Sequence, residues 1–347
     1  MKLRIGIVGC GTVGQGFLDA LDRKADDLRA RYGFEAKITA VADPLRGSLI
    51  VPQGLDIRKT LKVLGQGGKM HAVDPRAAKL DGVPAVDVIE AAGADIIAEL
   101  TPTDIKTGEP ATSHIRRALL TGKHVVTTNK GPLALHYREL SDLARKRKLM
   151  FRFEGTVMSG TPVFTLAERG FAGATIREVR GILNGTTNYI LSRMEADDLD
   201  FAEALAQAQK LGYAEADPAA DVEGRDALAK IVILANVLME AGLKPAALTP
   251  AGIGGINKAM IASARAEGYR YKLVAYARHE GARITAGVSP RRLPLTDPLA
   301  QVMGARNALT FDLDLLGPVT IEGPGAGRVE TGAAVLQDVL AIHRDLK

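Results

Sequence analysis

The stretch GIVGCGTVGQG, residues 6–16, decides how the first half of this chain is read. It places Gly9, Gly11 and Gly14 in the spacing Gly-x-Gly-x-x-Gly, after a short apolar run at 3–8 and at the head of an amphipathic stretch over 13–32. In such a turn the first glycine allows the tight bend and the second lets the backbone approach a pyrophosphate. The third permits close helix–strand packing, and the helix N-terminus favours the anion. The glycines alone are a weak signal. A strand before them and a helix after them make the reading one of dinucleotide binding, with Thr12 and Val13 in the cofactor-binding set. Cys10, inside the turn, reads as a small filler rather than a nucleophile.

Working outward, 38–42, 96–100 and 124–128 read as further strands, and 113–120 and 133–147 as helices. Strand–helix alternation of this kind argues for an α/β fold, a Rossmann-type parallel sheet with helices on both faces. Residues 44–82, with three prolines and several glycines, look like an excursion from that pattern. Coenzyme choice should be set where the second strand ends, in VADPLRGS (41–48). Asp43 suits ribose hydroxyls, as in NAD sites, and Arg46 suits a 2′-phosphate. The two pull in opposite directions, and the reading leans to NADP with NAD accepted.

Beyond residue 150 the rhythm changes. A helix over 201–211 is stopped by Gly212, and a longer one is expected over 222–243 with Asp221 as its N-cap. Strand-like runs at 176–183, 271–278 and 284–288 point to a mixed α+β second domain. The expected organisation is a dinucleotide-binding domain at 1–150, a substrate and dimerisation domain at 151–320, and a C-terminal helix within 325–347 packing back on the first domain.

Composition sets outer bounds. The 347 residues carry a net charge of +5, an excess that suits anionic ligands without specifying one. The densest basic run, 145–148, has no interleaved aromatics and reads as a helix C-terminus rather than a nucleic-acid surface. A single cysteine excludes an internal disulfide framework and points to a reducing, cytoplasmic address. No eighteen apolar residues run uninterrupted, so no membrane span is expected.

The chemistry concentrates in GYAEADPAADVEGRDALAK, residues 212–230. Glu223, Asp226 and Lys230 share one helical stripe. Taken alone, that pattern is a surface pair stabilising the helix by about 0.2–0.5 kcal/mol. An apolar run at 231–239 follows, so the lysine stands where water thins out. Glu215, Asp217 and Asp221 come from the preceding loop, which can gather carboxylates around an ammonium group. A second lysine, Lys130, ends the strand of KHVVTTNKGPLAL (123–135), where ligands of open parallel sheets bind. GILNGTTNYIL (181–191) supplies a polar turn with N–H and hydroxyl donors suited to a carboxylate.

Together with the closing GPGAGR (323–328), these segments resemble homoserine dehydrogenase, in order and over essentially the whole chain. Residues 208–230 match the family signature at Gly212, Asp217-Pro218, Asp221, Gly224, Asp226 and Lys230. The resemblance implies NAD(P)-dependent interconversion of L-homoserine and L-aspartate 4-semialdehyde in the biosynthesis of threonine and methionine. It implies Lys230 as proton donor and acceptor, Glu215 as the substrate-binding carboxylate, and Asp221 and Asp226 as groups orienting the amino group and the lysine. Lys130 would reach both nicotinamide and substrate. Gly185 and Thr186 would bind substrate, while Thr101 and Gly325 would flank the cofactor. A sodium site is implied at Glu154, Val157, Ser159 and Thr161, as is a homodimer meeting just after residue 150 and near 300–320. The chain departs from many relatives in ending soon after the GPGAG turn, without a regulatory domain, and in carrying Asp297 where histidine is frequent. The rival readings are a non-catalytic dinucleotide-binding sensor and another NAD(P)-dependent amino-acid oxidoreductase.

Overall fold

A computed structural model describes residues 2–74, 77–80 and 82–347. The chain forms two compact units, Met1–Gly160 with Gly327–Lys347, and Thr161–Ala326.

The first unit runs β1 (Lys2–Val8), α1 (Thr12–Tyr32), β2 (Glu35–Ala42), β3 (Leu49–Ile50), α2 (Ile57–Gly65), β4 (Ala78–Lys79), α3 (Ala85–Ala91), β5 (Ile96–Glu99), α4 (Ala111–Leu120), β6 (His124–Thr127), α5 (Lys130–Arg147) and β7 (Phe151–Arg152). Its sheet has the order β4-β3-β2-β1-β5-β6-β7, parallel from β2 to β7. Alternation along β1 serves both faces. Leu3, Ile5 and Ile7 pack with Phe17 and Leu18 of α1, while Val8 joins Ile97, Ile115, Val125 and Leu140 on the other side. Two short antiparallel strands, β3 and β4, extend the edge within the 44–82 excursion. Pro75, Arg76 and Asp81 of that excursion lie outside the described residues. The last helix of the chain, α12 in sequence order (Arg328–Asp345), lies against α1, with Val335 and Val339 in the same core. The crossing is close enough that a Cβ at Gly16 would overlap the carbonyl of Arg328, and one at Gly332 the backbone of Gly16.

The second unit contains α6 (Val163–Gly170), β8 (Ile176–Ile182), α7 (Gly185–Ala196), α8 (Phe201–Lys210), α9 (Ala219–Val222), α10 (Arg225–Leu238), α11 (Lys258–Ala266), β9 (Tyr269–Glu280), β10 (Arg283–Pro294), β11 (Arg306–Leu313) and β12 (Gly317–Pro324). Its five strands form an antiparallel sheet in the order β10-β9-β8-β11-β12. The architecture is thus a Rossmann-type α/β unit with a mixed α+β unit.

The helix expected over 222–243 runs instead from Arg225 to Leu238, with the short α9 before it, and Asp221 is not its N-cap. Gly224 adopts φ +82 and separates α9 from α10. A side chain there would be strained by the left-handed backbone, and its Cβ would stand 3.1 Å from Val288. The break carries Asp221 into α9 and frees its carboxylate for contacts made elsewhere. GILNGTTNYIL is more than a turn, since Asn184 caps α7 through Thr187 N and the helix starts at Gly185. Low-propensity Thr and Asn residues hide that helix from a periodicity reading.

Candidate active site

In the first unit, the loops after β1, β2, β5 and β6 meet at the carboxyl ends of the parallel strands. The strand order reverses between β1 and β5, the usual place for a ligand crevice. The three glycines differ in their surroundings. Gly9 has φ +88 and would place a Cβ 2.7 Å from Leu100 O; Gly14 would place one 2.6 Å from Gly9 O. Around Gly11 a Cβ would meet nothing within 4 Å, so this backbone is open to a ligand. Gly11 precedes α1 without a side-chain cap, leaving the amides of Thr12, Val13 and Gly14 oriented as an anion site. Cys10 is fully buried, and that burial, with Asp43 beside it, pushes its thiol up to about 12. Such a thiol is unreactive at neutral pH.

Asp43 is buried, and its carboxylate is largely committed to backbone. Oδ2 accepts from Cys10 N (2.8 Å), and Oδ1 accepts from Leu45 N (2.9 Å) and Arg46 N (2.8 Å). Arg46 stands 3.8 Å from the same carboxylate as an ion pair, with a third of its side chain exposed. The two residues therefore form one paired unit, in which Asp43 shapes the loop and Arg46 retains donors.

Thr101 and Lys130 are bridged by Asn129. The Asn129 amide donates to Thr101 O (3.1 Å) and Pro102 O (3.2 Å), and its Oδ1 accepts from Gly131 N as the cap of α5. Lys130 is thereby the first residue of α5, with its amide 3.4 Å from Thr103 Oγ1. Sequence reasoning passed over Glu99, which is fully buried at the end of β5. Its carboxylate accepts from the Thr101 hydroxyl, from Thr101 N (3.2 Å) and from Thr127 Oγ1 (3.1 Å), and His114 Nδ1 lies 3.5 Å away. A carboxylate closing an apolar strand was the available signal. Glu154 is buried in the loop after β7, where its amide donates to Asp338 Oδ2 (2.8 Å). Val157 is also buried, and Ser159 adopts φ +52 with its hydroxyl 2.7 Å from Thr331 Oγ1. Thr161 belongs to the second unit, where its hydroxyl lies 3.5 Å from Pro324 O.

In the second unit, Lys230 is 8% exposed, with Nζ 2.7 Å from Asp226 Oδ2 and donating to Leu183 O at 2.7 Å. Both partners are acceptors, so one of the three ammonium protons remains for a ligand. Asn184, which the sequence reading left unassigned, is the hub of this cluster. Its Nδ2 donates to Asp226 Oδ2 (3.0 Å) and Asp221 Oδ1 (2.7 Å). Thr186 Oγ1 lies 2.7 Å from both Asp221 Oδ2 and Tyr213 O. The signal for Asn184 was positional, an asparagine three residues before a threonine at a helix start. Lys230, Asp226, Asp221 and Thr186 are thus brought together, with Gly185 opening the same helix. Glu215 is not drawn in: its side chain is exposed, with no hydrogen bond or ion pair among the described residues. Asp217 accepts from Ala219 N (3.1 Å) and shapes the turn, while Glu223 pairs with Arg225 on the surface. Asp297 pairs with Arg180 at 2.8 Å and caps the turn at Leu299. Gly325 lies against the amide of Asn307.

Two family models cover the chain in succession. Residues 9–154 match the NAD-binding domain of homoserine dehydrogenase, and residues 162–340 match the homoserine dehydrogenase domain. The chain belongs to the homoserine dehydrogenase family. Homoserine dehydrogenases are NAD(P)-dependent oxidoreductases, and this reading displaces the non-catalytic sensor. An NAD(+)-dependent homoserine dehydrogenase of Pseudomonas canavaninivorans is 46% identical over 99% of this chain and 97% of its own. A homoserine dehydrogenase of Methanocaldococcus jannaschii is 40% identical over 98% of both. A hyperthermophilic archaeal homoserine dehydrogenase solved with NADPH superposes with a TM-score of 0.82 at 27% identity, covering 99% of this chain and 98% of that one. Among the described residues no helix is long and apolar enough to cross a membrane.

Proposed function

We propose that the Lys230 cluster performs the acid–base step in the interconversion of L-aspartate 4-semialdehyde and L-homoserine. The observation that carries this is a buried ammonium held by Asp226 and Leu183 O with one donor to spare. Reduction of an aldehyde leaves charge on oxygen, and Lys230 supplies the proton there; in oxidation the same group, deprotonated, takes the proton back. Asp226 holds the lysine in place, and Asn184 couples it to Asp221. Asp221 and the exposed Glu215 bind the substrate ammonium, while the first-turn amides of Gly185 and Thr186 bind its carboxylate. Lys130 acts at the substrate hydroxyl and the nicotinamide end.

The open backbone at Gly11 and the uncapped start of α1 fit the pyrophosphate of NAD or NADP, whose reduced form would supply the hydride to the aldehyde and whose oxidised form would accept it from homoserine. Thr101 and Gly325 flank it. The exposed part of Arg46 supports NADP, with NAD also accepted. A sodium ion held by Glu154 and by backbone oxygens at Val157, Ser159 and Thr161 orders the loop after β7. Activity measured in sodium against an organic cation tests that assignment. The family resemblance supports a homodimer and a cytoplasmic address, with no nucleic-acid or membrane partner.

The deciding experiment follows reduced-nicotinamide consumption with aspartate semialdehyde in the intact protein and in Lys230→Ala. The variant is expected to lose at least about a hundredfold in kcat, while its coenzyme Kd stays within about threefold of the parent's. Near-normal turnover would reject Lys230 as the proton carrier.

A further inference from the structure

Asn307 sits one step beyond the point where two strands part. The β8–β11 ladder runs from Ile176↔Leu313 to Ile182↔Ala308, and its next rung would pair Leu183 with Asn307. That rung is not made. Leu183 O accepts from Lys230 Nζ instead, and the side chain of Asn307 is left fully buried with neither Oδ1 nor Nδ2 hydrogen-bonded among the described residues. Buried amides are nearly always satisfied, so one left open on both sides calls for a partner that arrives later.

Its neighbours say where that partner comes from. A Cβ at Gly325 would overlap the Asn307 amide, so the GPGAG turn lies directly on it. A Cβ at Gly185, the first residue of α7, would stand 3.6 Å from Asn307 Oδ1 and 2.7 Å from Ala305 O. One uncommitted amide thus lies between two backbone segments, both glycine at the point of contact. The amide is too deeply buried to touch a ligand directly, but a small shift of either segment would give it backbone partners.

We propose that Asn307 is a positioning residue of the amino-acid substrate site. When substrate engages the first turn of α7, the Asn307 amide bonds the backbone of Gly185 and of Gly325 and holds the two segments in the binding geometry. This rests on the reading of Gly185 and Thr186 as substrate-binding.

The test compares the full-length parent, Asn307→Leu, Asn307→Ala and Lys230→Ala. For each, Tm is measured alone, with NADP, and with NADP plus homoserine, together with kcat and the homoserine KM. Both Asn307 variants are expected to raise the homoserine KM by about tenfold or more, the loss of roughly one hydrogen bond, with kcat changed by less than about threefold. The extra Tm shift given by homoserine should shrink, and Asn307→Leu should leave the ligand-free Tm equal or higher, since an orphaned amide has been removed. Unchanged KM and homoserine shift would overturn the proposal. So would a lowered ligand-free Tm with parental kinetics in both variants, which is the signature of a purely structural role. If Lys230→Ala turns over normally, the site reading itself has failed; if it is inactive while the Asn307 variants behave as the parent, only the role of Asn307 has.

Discussion

At the end of β2 the Asp43 carboxylate is spent on the amides of Cys10, Leu45 and Arg46, so the Arg46 guanidinium is the group there with donors to spare. Arg46→Ala is therefore expected to raise the KM for NADP by about tenfold or more while altering that for NAD by less than about threefold. Kinetics with both coenzymes measures the difference. A second residue, Lys272 of β9, is fully buried and donates to Asn188 Oδ1 (2.8 Å) and to the carbonyl of Val302. Burial and the neighbouring Arg270 bring it down from 10.5 to about 7, against the opposing pull of Glu195 and Glu322. Below about 7 the folded and unfolded chains both carry the proton, and between about 7 and 10.5 only the unfolded chain does. Stability from this group is therefore full above 10.5 and lost as pH falls towards 7. Lys272→Met should flatten the rise in unfolding free energy over that window by up to about 1.4 kcal/mol per pH unit. Denaturant titrations at several pH values read the slope.

Helices α1 and α12 meet through Gly16 and Gly332, where backbone stands in the space a Cβ would need. This contact joins segments from opposite ends of the chain into one core with Phe17, Val335 and Val339. Gly16→Ala should cost about 1–3 kcal/mol through overpacking. A fall in urea midpoint with unchanged m-value would register it, and parental stability would mean that the crossing relaxes freely. Both glycines look like ordinary helix-interior residues in sequence; only the crossing explains them. Gly224 is different, because its left-handed backbone at φ +82 ends α9 and starts α10. A helix running through that glycine is the natural sequence reading, since the residues next to it on both sides tolerate helix.

At the scale of the whole molecule the family resemblance implies assembly with a second copy. Leu315 and Leu316, 75% and 60% exposed in the turn between β11 and β12, lie in the 300–320 region expected to meet a second copy. Light scattering is expected to give twice the 36.7 kDa chain mass, and Leu315→Asp with Leu316→Asp should move the protein towards monomer. A mass of one chain for the parent would remove the dimer. The sequence by itself determined the alternating first unit, the glycine turn and the lysine-bearing acidic segment, because these depend on neighbours within a few residues: apolar period, turn chemistry and motif spacing. Tertiary structure alone decided that Asp43 faces amides, that Asn184 joins Asp221 to Asp226, that Glu99 is buried beside Thr101, and that the Asn307 side chain has no hydrogen bond among the described residues. The Asn184 contacts span 37 and 42 positions and the Asp43–Cys10 contact 33, so packing of distant elements sets them. The charge and size of a side chain do not reveal which far segment it will meet.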